Sequence, residues 1–359
     1  MEKLNVLLLF GGQSTEHTVS NVSASNVYSL LNLDKYNVYR VGITENGEWF
    51  LFEGSKEEMK DGSWEKMKLK RAFLSPDTVS GLVILDGESV EFVNIDVVFP
   101  VLHGILGEDG SVQGLSSLAK IPCVGPDMLS SAICMDKPTA KILFKHYNIP
   151  QADWITVFSP ELNDIEKTVS KIEEKFDYPV FIKPANAGSS VGIGKSHNSR
   201  ELKTDLINAS KVDSKILVEE FIDAREVECA VLGNGEDVLV SIPGEIIPAK
   251  DFYDFEAKYE SDSKLLIPAL LSEEQANEVR ETAKRAYISL GLSGMSRVDF
   301  FVHKETGKLY LNEINTIPGF TGISMYPMLM EKSGIPGGEL VDRLIDCAIS
   351  SFAGISEDK

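Results

Sequence analysis

Apolar and polar positions along the chain follow two periods, and their order predicts strands and helices in alternation. Asn5 to Phe10 (NVLLLF) is a short apolar run closed by Gly11-Gly12, after which Val19, Val22, Val27 and Leu30 recur at helical spacing. That order is strand, turn, helix. Further strands are expected at Val38 to Ile43, Trp49 to Phe52, Leu82 to Leu85 and Ile95 to Pro100, making a first α/β unit that closes near Cys123-Val124-Gly125. A helix from Leu129 to Met135 follows, and Pro138 suits the first turn of another that ends at Asn148-Ile149-Pro150. Next come a strand (Trp154 to Phe158), a polar helix (Pro160 to Phe176) and a strand Val180 to Lys183. A Gly/Ser-rich loop leads to a partner strand Val191 to Lys195, then a helix and the strand Ile216 to Glu219. From Arg225 several β runs precede a long loop (Asp251 to Ser263). Ser272 with Gln275 is a capping box opening a helix to about Leu290, and a hairpin and a last helix (Glu339 to Phe352) complete the chain.

The length of 359 residues suits two or three packed units. We expect an N-terminal α/β substrate-binding domain over 1–126, a central subdomain with the Gly/Ser loop over 127–219, and a C-terminal domain over 220–359 that is α+β in character. Lys and Arg total 35 against 55 Asp and Glu, a net charge of −20 that disfavours a nucleic-acid partner. The densest basic cluster, Lys66, Lys68, Lys70 and Arg71, reads as a solvated strand edge. With no run near the ~18 apolar residues that span a bilayer, the chain is expected to be cytoplasmic and without a membrane partner. The four cysteines and five histidines show no zinc or disulfide spacing.

The most informative local pattern is the strand pair SRVDFFV and KLYLNEIN around Lys304 to Lys308. A turn symmetric about Thr306 sets Asp299 opposite Glu313 and Arg297 opposite Asn315, all on one face. Facing carboxylates ask for a cation, and an oxygen-only set of Asp299, Glu313 and Asn315 favours Mg²⁺; the alternative is an exposed polar hairpin. In VFIKPANAGSSVGIGK, flexible backbone N–H groups and Lys183 could wrap phosphate oxygens, although a plain turn would read the same way. Lys137 and Lys258 are further anion candidates. LVEEFIDAREVE sets Glu219, Glu220 and Glu226 around an apolar pair where adenine could slot between units, or forms an ordinary charged linker. Glu16 and His17 follow the first strand, as an anchor for an amino group or as a helix start.

GGQSTEHTVS, HGILGEDGSVQG, MDK, IKPANAGSSVG, FEAKY, SRVDFF and LNEINTIPGFTGIS stand in the order found in the D-alanine–D-alanine ligases, and over nearly its full length the chain resembles that ATP-grasp family. The resemblance implies an ATP-grasp fold with a doubly wound N-terminal α/β domain. It implies an ATP-dependent ligase that makes a D-alanyl phosphate from one D-alanine, which the amine of a second attacks, giving a dipeptide for peptidoglycan, cell wall biogenesis and cell shape. By resemblance Lys137, Lys183, Ser189, Ser190 and Lys258 hold ATP phosphates, and Glu219, Glu220, Phe221, Ile222 and Glu226 hold adenine and ribose. Asp299, Glu313 and Asn315 then hold two Mg²⁺ ions, which Mn²⁺ could replace.

Likewise Arg297 and the Gly319 N–H stabilise the oxyanion. Glu16 binds the first ammonium and, with Ser189 and Tyr259, closes the active-site loop; His103 lies near the first substrate, and Ser324 binds the second carboxylate. Tyr259 in FEAKY favours an amine nucleophile, and Met325 suits a methyl group. Ile323 and Glu220 depart from the residues many members carry. The family implies a homodimer. Two other readings are a D-alanine–D-serine ligase and a catalytically silent ATP-binding regulator.

Overall fold

The computed structural model describes residues 2–188, 191–247 and 264–357; Ser189, Ser190, Lys258 and Tyr259, all expected in the site, lie outside the described residues. The strands β1 (Leu4–Gly11), β2 (Tyr36–Ile43), β3 (Trp49–Leu51), β4 (Lys70–Leu74), β5 (Leu82–Asp86), β6 (Ser89–Val93) and β7 (Val97–Pro100) form one sheet in the order β6-β5-β4-β3-β2-β1-β7. β1 is parallel to β2 and β7, and β2 to β6 continue as an antiparallel meander. α1 (His17–Leu30), α2 (Lys56–Lys60) and α3 (Ser111–Leu118) accompany this sheet, and α4 (Met128–Met135) and α5 (Lys137–His146) lead away from it.

A second, antiparallel sheet has the order β10-β9-β11-β8, from β8 (Trp154–Phe158), β9 (Val180–Pro184), β10 (Gly194–Ser196) and β11 (Lys215–Glu220), with α6 (Ile165–Glu173) and α7 (Ser199–Ser210) packed on it. The third sheet holds β12 (Ala224–Asn234), β13 (Asp237–Val240), β14 (Gly244–Ile247), β15 (Lys264–Leu266), β16 (Ser293–His303) and β17 (Leu309–Asn315). α8 (Glu273–Ser289), α9 (Met325–Lys332) and α10 (Gly337–Glu357) complete the described elements.

Alternation along β1 explains why the first sheet is covered on both faces. Val6, Leu8 and Phe10 pack with Ala24 and Val27 of α1 and with Leu340, Val341 and Leu344 of α10, while Leu7 and Leu9 pack with Val112 of α3. The last helix of the chain therefore roofs the first sheet. Two strands, β4 and β6, carry no apolar run and were not expected; Ser89 to Glu91 and Phe92 are exposed. β4 also corrects the reading of the basic cluster. Lys70 and Arg71 begin a strand between β3 and β5 rather than a sheet edge, and they pair with Asp86 and Glu48. Lys66 ends a short 3-10 turn. The helix-start signals read correctly: Pro138 stands in the first turn of α5, where Asp136 also accepts from the Thr139 N–H, and Ser272 and Gln275 form their box. Among the described residues no helix is long and apolar enough to cross a membrane.

Candidate active site

The hairpin of β16 and β17 pairs Asp299 with Glu313 and Arg297 with Asn315, as the sequence predicts, though by a different route. The turn closes between His303 and Lys308, one residue tighter than a turn centred on Thr306, so Phe300 faces Leu311. A β-bulge at Asn312 then restores the expected register. Because β12 pairs with the other side of β16, Glu228 stands opposite Asp299, and three carboxylates cross adjacent strands in one row. Glu228, buried and two residues beyond Glu226 on the same strand face, was missed; the period of two was its signal.

Arg297 answers that concentration of negative charge. Its Nε lies 3.0 Å from Glu228 Oε2, and its Nε and Nη2 donate to the two Asp299 oxygens at 2.8 and 2.7 Å. Burial disfavours the guanidinium, but Asp299 and Glu228 outweigh it and hold its pKa well above the ordinary arginine value. Asn315 Nδ2 donates to Asp299 Oδ2 at 2.9 Å, and Lys137 Nζ lies 3.6 Å from Glu313 Oε2. The cations that the facing carboxylates require are thus partly supplied by the chain. Among the described residues no group of three or more His, Cys, Asp or Glu is disposed to hold a metal ion. Asp299, Glu313 and the Asn315 amide oxygen nevertheless form a hard, oxygen-only donor set that suits Mg²⁺ once a polyphosphate adds its own oxygens.

Of these side chains Lys137, Glu228, Arg297, Asp299 and Glu313 line a cleft of about 480 Å³ between the second and third sheets, and Asn315 does not. Lys137, Lys183, Glu219, Glu220, Phe221, Ile222, Glu226, Arg297, Asp299 and Glu313 all face it. The Phe221 ring lies 6.1 Å from that of Phe181 in a stacked arrangement, which gives the cleft an apolar wall. Lys183 Nζ meets Glu219 Oε2 at 2.7 Å and donates to Asn312 Oδ1 at 3.1 Å. Glu219 lines the cleft with both oxygens engaged, the other being held by Lys141 at 2.6 Å. Glu220 accepts from the Asp153 N–H at 2.7 Å.

Burial would push the Glu219 carboxyl up, but Lys141 and Lys183 hold it at about 2 against its ordinary 4.5. The ionised form is therefore the one that stabilises the fold. Its contribution is whole above pH 4.5 and is lost as pH falls through about 2. We expect the difference in urea unfolding free energy between the wild type and Glu219→Gln to shrink steadily below pH 4.5; a pH-independent difference would contradict this.

A second hollow adjoins the first. Glu16, ahead of α1, lines it together with Gly104, Asn186, Ala187 and Gly188. Gly104 and Gly188 both approach the Glu16 carboxylate so closely that a Cβ on either would lie 2.9 Å from Oε2. Lys137 joins the two hollows by donating to the Ala187 carbonyl at 2.8 Å, at the start of the Gly/Ser loop. His17 takes no part: it is buried, with Nδ1 2.7 Å from the Gly12 carbonyl and Nε2 2.7 Å from Glu65. His103 lies beside Glu108, another missed residue, whose carboxyl is pushed up by burial and feels both Glu16 and Arg297.

The loop after β17 is clamped onto the first sheet. His103 Nδ1 is 3.0 Å from the Ile317 carbonyl and its Nε2 is 3.0 Å from Ser23 Oγ. Ser23 accepts from the Phe320 N–H at 3.2 Å, and Asn26, one turn along α1, donates to the Phe320 carbonyl at 2.8 Å. Gly319 lies between these anchors. Ser23→Ala removes a fully buried anchor, so we expect a loss of about 1–2 kcal/mol in stability and a several-fold drop in turnover with nucleotide affinity unchanged. Equilibrium unfolding, steady-state kinetics and nucleotide titration together check this.

Ser324 Oγ accepts from the Thr321 N–H at 3.0 Å and lies 2.9 Å from where a Cβ on Gly319 would stand, so these two expected residues meet. Met325 does not join them. It is 4% exposed and packs in the core, its terminal methyl directed at Gly244, so its side chain cannot contact a second substrate as expected from the sequence.

The nucleotide-sized cleft between two antiparallel sheets, with lysines, a Gly/Ser loop and a carboxylate hairpin, has the ATP-grasp fold. Residues 5–126 match the family described as D-ala D-ala ligase N-terminus, and 143–346 the one described as D-ala D-ala ligase C-terminus. The chain is 52% identical to a D-alanine–D-alanine ligase of Acetivibrio thermocellus, over 98% of this chain and 97% of that one. It is 52% identical to the ligase of Clostridium acetobutylicum, over 97% and 98%. Among solved structures, a D-Ala:D-Ser ligase from Enterococcus faecalis matches with a TM-score of 0.88 at 38% identity, covering 97% of this chain and 100% of that one. A D-alanine–D-alanine ligase from Coxiella burnetii also matches at 0.88, with 34% identity over 99% and 97%. The chain belongs to the D-alanine–D-alanine ligase family.

Proposed function

We propose that the chain joins two D-alanines through a D-alanyl phosphate, using ATP and releasing ADP and phosphate, to make D-alanyl-D-alanine for peptidoglycan. The observation that carries the reading is the single constellation in which Lys137, Lys183, Arg297, Asp299 and Glu313 line one cleft while Lys137 also touches the loop beside Glu16.

Lys137 and Lys183 hold the phosphates, and the apolar wall of Phe181 and Phe221 packs the adenine beside Glu219, with Glu226 for the ribose. Bound by Asp299, Glu313 and Asn315, two Mg²⁺ ions, or Mn²⁺ in their place, supply further charge neutralisation for the polyphosphate. Glu16 holds the ammonium of the first D-alanine and orients its carboxylate toward the cleft. Arg297 and the Gly319 N–H offset the charge that develops on the carboxyl oxygen when the second amine attacks. Ser324 takes the second carboxylate. Ser189, Ser190, Lys258 and Tyr259 are proposed to close over the acyl phosphate and exclude water, which would otherwise hydrolyse it. The reading also takes the chain to work in the cytoplasm and as a homodimer, supported by the family resemblance alone.

A D-serine acceptor is the second reading, favoured by the likeness to the Enterococcus faecalis enzyme. Competition decides between them: with Mg-ATP and equal D-alanine and D-serine, the D-alanyl-D-alanine mass should dominate. A predominance of D-alanyl-D-serine would replace the first reading with the second.

A further inference from the structure

Lys141 is the most deeply buried charge near the cleft and does not line it: the residue is 2% exposed. Its Nζ lies 2.6 Å from Glu219 Oε1 and 3.2 Å from the Ala152 carbonyl, over the Trp154 ring at 5.6 Å. The other Glu219 oxygen holds Lys183, which does face the cleft. One carboxylate thus sits between two ammonium groups, only one of which a ligand can reach.

We propose that Lys141 is a positioning residue for nucleotide phosphate: by occupying one oxygen of Glu219 it leaves the Lys141–Glu219–Lys183 triad with a net charge of +1, directed to the cleft at Lys183. Glu219 fixes where the Lys183 ammonium stands, and Asn312, the bulge residue of β17, fixes it from the other side. Without Lys141 the same carboxylate would neutralise Lys183 and the local charge would fall to zero. The inference rests on the proposed phosphate-holding role of Lys183, and the test separates the two.

Mg-ATP, without D-alanine, is titrated into the full-length chain and its variants, each checked by thermal unfolding. Lys183→Met tests the underlying reading and should bind far more weakly; binding like the wild type would sink that reading. Lys141→Met should weaken binding by at least about tenfold, since a unit charge within about 10 Å of a phosphate in a partly buried site is worth that much at an effective dielectric of about 20, while the KM for D-alanine stays within about twofold. The decisive variant is Lys141→Met with Glu219→Gln, which removes both partners and restores a net charge of +1 at Lys183. Its affinity should rise at least about threefold above that of Lys141→Met, because the charge on residue 219 is gone while an amide oxygen can still accept from Lys183. If Lys141→Met does not fold, the double variant, which buries no unpaired charge, decides alone. A double variant as weak as or weaker than Lys141→Met, or tenfold weaker than the wild type where the single variant is unfolded, overturns the proposal. So does a Lys141→Met that binds normally while Lys183→Met does not.

Discussion

Arg297→Ala is expected to lower turnover by roughly two to three orders of magnitude, the usual loss when a preorganised oxyanion donor is removed. The structure adds a second consequence. Arg297 is the bidentate partner of Asp299 and reaches Glu228, so alanine leaves a row of three carboxylates, Glu228, Asp299 and Glu313, on adjacent strands with Lys137 the nearest cation of this group. Breaking such a buried cluster costs about 3 kcal/mol, so the variant should also unfold at lower urea concentration. Arg297→Lys keeps a charge but loses the fork, so its stability should recover more than its turnover. Turnover measured on the folded fraction separates the two effects. Normal turnover in the alanine variant would end the oxyanion assignment.

Glu313→Gln should move activity and stability in opposite directions. Glu313 faces Asp299 directly across the strand pair, and like charges so placed repel by up to about 1 kcal/mol. Removing one charge is therefore expected to leave the ligand-free protein as stable as the wild type or slightly more so. A hard divalent cation bound by two carboxylates loses much of its affinity when one becomes an amide. The Mg²⁺ concentration giving half-maximal turnover should rise at least about tenfold, with the KM for D-alanine little changed. A destabilised variant whose Mg²⁺ dependence matched the wild type would show Glu313 to be structural.

The hairpin that carries both predictions was legible in the sequence because strand periodicity is local. Asp299, Glu313, Arg297 and Asn315 needed only a turn and a period of two to fall together, and the tighter turn and the bulge at Asn312 cancelled. Most of the order of strands and helices, the helix start at Pro138 and the cap at Ser272 were readable for the same reason. What depended on distant contacts was not. Met325 follows Ser324 in sequence, yet the start of α9 turns it into the core against Gly244. Nothing local shows that Lys141, one turn beyond Lys137 on α5, reaches the Glu219 carboxylate. Ser23 and Asn26 lie almost 300 residues from the loop they hold, and α10 roofs a sheet formed at the other end of the chain.

The most direct test is product analysis of the purified protein with Mg-ATP and D-alanine alone, beside a parallel reaction with L-alanine. The account predicts one phosphate and one ADP released per D-alanyl-D-alanine formed, identified by mass, and no dipeptide from L-alanine. Nucleotide binding without dipeptide or phosphate release in the presence of D-alanine would contradict it and leave a silent ATP-binding protein in its place.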